Sequence, residues 1–132
     1  MTMVSIHAAS LWSGLLVLLL ITLSGLTVRR RRRHLVAFGD GGNDELTSAS
    51  RAFGNAAEYI PAGLVALVLL ALTGAPPVMI HAIGGTLLAG RLLHSLGLIF
   101  QKGPSLGRVA GMILTYLALL VAALSLIAYG VL

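Results

Sequence analysis

The chain has 132 residues, a formal net charge of +5, 58% hydrophobic residues, a mean hydropathy of +0.98 and no cysteine. A single small domain has too little interior to hide its long, nearly continuous apolar stretches, so a water-soluble globular fold is excluded. The missing cysteine excludes a disulfide framework, a thiol nucleophile and a thiolate metal site, and leaves any thiol chemistry to a ligand.

The first span, roughly 5–28, ends abruptly at Arg29 to Arg33 and His34. It is read as a retained helix and not as a cleavable signal, because the basic cluster follows the apolar stretch instead of preceding it. Of the nine Lys and Arg residues, only Arg91 lies inside an apolar run; Arg29 to Arg33, Arg51, Lys102 and Arg108 lie in or beside the segments between runs. The positive-inside rule therefore places loops 29–43 and 101–104 in the cytoplasm and both termini outside, with the uncharged loop around Gly74 to Pro76 on the far side.

Gly39-Asp40-Gly41-Gly42 reads as a turn and not a phosphate loop, since no strand precedes it. Asn43 followed by Asp44 and Glu45 is a helix start with a capping side chain and two carboxylates in the first turn. It opens a second span at 44–73, in which Pro61 permits a kink. Pro76-Pro77 opens a third span at 77–100, and Gly103-Pro104-Ser105 a fourth at 105–131. Each is close to or above the ~20 residues that cross a hydrocarbon core. The expected fold is an all-α, integral membrane four-helix bundle forming one domain over 1–132.

The chemistry concentrates in the second span. Arg51, Asn55, Glu58 and Ala62 fall within an arc of roughly 60° at helical spacing, and Glu58 lies about 10 Å further along than Arg51. An ionised carboxylate at that depth is costly unless paired. Arg91, about 13 Å from the cytoplasmic end of the third span, is at nearly the same depth. The reading predicts a Glu58–Arg91 ion pair, with His94 completing a polar pocket that opens toward the cytoplasm. No second His or carboxylate stands at ligand spacing from His94, so no metal is expected.

Alternatives stay open at this point. The buried polar groups can be interhelical glue in a non-catalytic scaffold. A small transporter is disfavoured because the outer halves, 64–72 and 79–88, hold no ionisable group except His81. The arginine cluster is explained by topology and anionic head groups. Arg108, in the first turn of the fourth span, is placed to stabilise a bound thiolate or phosphate, or else to anchor the helix at the interface.

The stretch from Arg51 through Asn55, Glu58 and Tyr59 to Pro61 resembles the R-x-x-x-N-x-x-E-x-x-P signature of the MAPEG family, membrane-associated proteins of eicosanoid and glutathione metabolism. Gly90 to His94 is similar to the third-helix segment of its prostaglandin E synthases. The Glu58-Tyr59 pair is similar to its leukotriene synthases, and Arg29 after Val28 to the basic end of their first helix. The resemblance implies a homotrimer holding glutathione, or a related thiol, between subunits near the cytoplasmic face. Arg51, Asn55, Glu58, Tyr59, Arg91 and His94 would line the site, Arg29 or Arg30 would reach a carboxylate, and Arg108 would activate the thiol. The implied activity is transfer of the thiol to a lipophilic electrophile drawn from the bilayer, or reduction with it, as in a glutathione transferase or peroxidase. Its partners would be other copies of the chain, membrane lipids and a lipophilic small molecule, with no nucleic acid. Leu98 and Met112 stand where synthases have tyrosines, and Gly54 where some members have arginine, which thins the hydrogen bonds to the tripeptide. The GDGG turn and short chain resemble the bacterial branch, implying a bacterial inner membrane.

Overall fold

The computed structural model describes residues 3–101 and 103–131, which form four helices: α1 (Met3–His34), α2 (Asp44–Leu72), α3 (Pro77–Phe100) and α4 (Leu106–Val131). All four are long and apolar enough to cross a membrane. The expected spans correspond one for one, with bounds that agree within two residues except at the end of α1. α1 does not stop at Val28 but continues through the arginines, because arginine is a good helix former and the cations Arg31, Arg32, Arg33 and His34 in its last turn complement the helix dipole. At 32 residues α1 is about 48 Å long, so its basic end projects well beyond a ~30 Å hydrocarbon core. α4 begins at Leu106 instead of Ser105, because Ser105 is its cap: its Oγ accepts from the Arg108 N–H at 3.3 Å.

The turn between α1 and α2 is built as its composition implies. Leu35, Gly39, Gly41 and Gly42 all take positive φ. Asp40 accepts from the Gly42 N–H at 3.1 Å and from the Thr47 hydroxyl at 2.9 Å, and these two donors hold its carboxyl below the usual carboxylate range. The Asn43 side chain accepts from the Leu46 N–H at 3.0 Å and caps α2. Arg30 donates to the Glu45 carbonyl at 2.5 Å and Arg31 to the Gly39 carbonyl at 2.7 Å, so two members of the basic cluster fasten this turn to α1.

α2 and α3 form the middle of the bundle; α1 and α4 pack on them from different sides without touching each other. Leu16, Leu23, Ile60, Leu67, Leu70, Ile80, Ile83 and Leu87 fill the core. The outward faces of α1 and α4 carry Leu18, Ile21, Ile113, Leu120 and Ile127, which would be untenable in water and suit acyl chains. Within lipid, helices gain little from hiding leucine, and close packing of small residues takes over. A Cβ on Gly111 would stand 2.5 Å from the His94 nitrogen and 2.7 Å from the Gly90 carbonyl oxygen, and one on Gly97 would stand 2.8 Å from the Arg108 nitrogen. The backbones of α3 and α4 therefore meet along Gly90, Gly97 and Gly111. At the end remote from the arginines, Trp12 lies against Gly84 and Gly85 and donates to His81 Nδ1 at 3.0 Å.

The glycine seam makes a signed prediction. Gly111→Ala forces a methyl into backbone and should destabilise the bundle by roughly 1–3 kcal/mol. Gly14→Ala, on a face open within 4 Å, should leave stability unchanged or raise it by up to about 1 kcal/mol. Reversible unfolding in mixed micelles distinguishes the two.

Candidate functional site

Arg91 is the largest fully buried side chain among the described residues. Its Nε–H donates to Thr115 Oγ1 at 2.8 Å, Nη1 to Asn55 Oδ1 at 2.7 Å and Nη2 to Met112 Sδ at 3.1 Å. The guanidinium lies 5.0 Å from the centroid of the Tyr59 ring, within range of the ring's negative face. Thr115 Oγ1–H in turn donates to the Gly111 carbonyl at 2.8 Å, so the hydroxyl both accepts and donates. A buried cation is thus satisfied by neutral groups of α2 and α4, three of its five N–H donors having named acceptors.

The expected Glu58–Arg91 ion pair does not form. Glu58 is exposed and has no hydrogen bond or ion pair among the described residues. The depth argument held but the angular one failed. Along α2, Tyr59 lies about 40° to one side of Asn55 and Glu58 about 60° to the other. An arginine seated between Asn55 and Tyr59 therefore faces away from Glu58.

His94 is buried next to this cluster and its Nδ1–H donates to the Arg108 carbonyl at 3.0 Å, which leaves the Nε2 lone pair free in the neutral ring. Arg108 is half-buried, with Nη1 donating to the Gly103 carbonyl at 2.8 Å. It stands between two depressions. On one side is a polar cleft of about 250 Å³ lined by Asp44, Thr47, Ser48, Arg51, Gln101 and Arg108. On the other is a largely apolar groove of about 470 Å³ lined by His94, Arg108, Val109, Met112, Ile113 and Tyr116. Arg29 and Arg30 are on α1, which does not touch α4, so a single chain does not bring them to Arg108.

The structure therefore joins Asn55, Tyr59 and Arg91 in one cluster with His94 beside it, joins Arg51 to Arg108 across the polar cleft, and leaves Glu58, Arg29 and Arg30 outside both. Sequence reasoning missed Thr115 and Tyr116, and gave Met112 only as a lost tyrosine, whereas its sulfur accepts from Arg91. The signal was available: Arg108, Met112, Thr115 and Tyr116 recur at helical spacing and share one face of α4. Gly54 faces open space, and Leu98 lines the polar cleft.

Four membrane-spanning helices that bury a polar cluster and gather arginines at one end define a small polytopic membrane protein with a divided, ligand-sized recess. A model of the MAPEG family matches residues 9–128, and the chain belongs to that family. It is 43% identical over 117 residues to the inner membrane protein YecN of Escherichia coli K12, and equally to the protein of that name from Escherichia coli O6:H1, covering 89% of this chain and 88% of each relative. No solved structure matches it.

Double-mutant cycles on folding stability test the polar cluster. Asn55 and Arg91 should couple by roughly 1.5–3 kcal/mol, as expected for a hydrogen bond to a charged group. Glu58 and Arg91 should couple by less than about 0.5 kcal/mol. Larger coupling at Glu58 would restore the ion pair.

Proposed function

We propose that the protein is an integral protein of a bacterial inner membrane, assembles as a homotrimer, and binds glutathione or a similar anionic thiol. It transfers the thiol to, or reduces with it, a lipophilic electrophile taken from the bilayer. The observation that carries the reading is the position of Arg108, shared by a polar cleft and an apolar groove. A thiol tripeptide carries two carboxylates and one ammonium. Arg51, Arg108, Asp44 and the hydroxyls of Thr47 and Ser48 match that charge pattern with donors and an acceptor of the right sign. The groove beyond suits a hydrocarbon partner.

When bound, the thiol supplies the nucleophile. The chain's own contribution is electrostatic: the Arg108 cation at the first turn of α4 favours the thiolate over the thiol. His94 fixes the backbone of that turn through the Arg108 carbonyl. The groove wall excludes water from the sulfur and strengthens the field of the arginine.

Two features support assembly. Glu58 faces outward about 10 Å deeper than Arg51, where a bare carboxylate against lipid is costly, and a neighbouring copy would shelter it. Arg29, exposed on α1, can reach a thiol ligand's carboxylate only from an adjacent copy. The basic ends of the helices would face the cytoplasm, by the positive-inside rule.

One observation favours a second reading, a non-catalytic scaffold: each nitrogen of the Arg91 guanidinium already has an acceptor within its own bundle. A through-membrane path is disfavoured, because His81, in the half of α3 remote from the arginines, accepts a hydrogen bond from Trp12. The test uses detergent-purified protein. Glutathione should raise the melting temperature, and the thiolate ultraviolet absorbance should appear at neutral pH. Arg108→Leu should remove that absorbance and lower turnover about 10²–10³-fold while the trimer persists. Stabilisation without turnover would indicate a binding protein, and no stabilisation would indicate the scaffold.

A further inference from the structure

Two phenol hydroxyls meet within the spans. Tyr59 Oη and Tyr116 Oη are 3.0 Å apart, and their rings make a T-shaped contact with centroids 5.7 Å apart. Each hydroxyl has one proton, and the bond between them consumes one, so the pair retains one O–H to give to a third group. Tyr59 is fixed from behind by the Arg91 guanidinium over its ring, and that cation also stabilises negative charge developing beside the pair. Tyr116 is exposed and forms part of the apolar groove, about 12 Å further along α4 than Arg108. The groove thus has a cation at its mouth, Val109, Met112 and Ile113 along its wall, and a hydroxyl donor at depth.

We infer that Tyr116, oriented by Tyr59, donates a hydrogen bond to the oxygen of the electrophile, and that the substrates are lipophilic electrophiles whose reaction leaves negative charge on oxygen, alkenals and epoxides, as opposed to halides. The inference rests on the thiol-transfer reading above. For an alkenal, the thiolate sulfur forms a bond to the β-carbon, and the carbon–carbon π pair moves through the chain to make an enolate. The enolate oxygen takes the Tyr116 hydrogen bond, and water returns a proton to the α-carbon. The thiol gives up its proton to solvent at the start, so thiol and alkenal sum to a thioether with no other reactant. With a halide the charge leaves on the halogen, and a donor aimed at oxygen contributes nothing. The tyrosine pair acts where the charge arrives, which is the condition for transition-state stabilisation by a hydrogen bond.

The experiment measures kcat/KM with glutathione for cinnamaldehyde and for benzyl chloride, two probes with the same ring and different fates for the charge. Tyr116→Phe should lower the ratio of the first to the second about 100-fold. Tyr59→Phe, which keeps both rings, should lower it in the same direction by about 10-fold. Melting with and without glutathione checks that each variant keeps its thiol site. A ratio unchanged in both variants, with both probes slowed together, would make the pair a packing element and overturn the inference. If the native protein is stabilised by glutathione yet turns over neither probe, the transfer reading fails, and this inference with it.

Discussion

A buried cation, Arg91, with no anion beside it among the described residues is the constraint from which the arrangement follows. Removing an ion from water costs several kcal/mol even after relaxation, and the protein recovers this only when good acceptors meet the ion from several directions. Arg91 on α3 finds an amide oxygen and a ring face on α2, and a hydroxyl and a sulfur on α4. No single helix supplies the set, so satisfying a charge carried on α3 from both α2 and α4 fixes three helices relative to one another. The close approach this demands is possible because Gly90 and Gly111 let two backbones touch. Charge satisfaction and glycine packing are one device seen from two sides.

The same device sets up the recess. With α4 pulled against α3, His94 reaches the Arg108 carbonyl, and Tyr59 and Tyr116 come into contact at the groove wall. The arginines then divide their labour. Arg91 is spent on structure, while Arg108 lines both the polar cleft and the apolar groove. Arg30 and Arg31 fasten the turn after α1, which shows that a basic cluster at a membrane surface does more than set orientation.

Most of the fold was legible because it depends on counting. Span lengths follow from runs of apolar residues, helix starts from Asn43, Pro77 and Ser105, and the similar depth of Glu58 and Arg91 from the rise per residue. What was not legible depends on rotation about helix axes. Glu58 and Asn55 differ by about 60° on α2, and only the crossing of α2 with α3 decides which of them Arg91 meets. Charge attraction made Glu58 the natural choice from sequence; geometry gave the place to an amide and a ring. Met112 was hidden for another reason, since a thioether is a weak acceptor that sequence patterns do not mark as a partner for arginine. The continuation of α1 past Val28 was hidden because hydropathy reports where the bilayer ends, not where the helix does.

The most direct test of this account is the hydrogen exchange of the Arg91 Nε–H, followed by nitrogen-resolved NMR on the protein in detergent micelles. A guanidinium sealed among Asn55, Tyr59, Met112 and Thr115 predicts an Nε–H signal that is resolved, persists at neutral pH, and becomes exchangeable when Thr115 is replaced by Val. An Nε–H that exchanges with water as fast as those of the exposed arginines would contradict it.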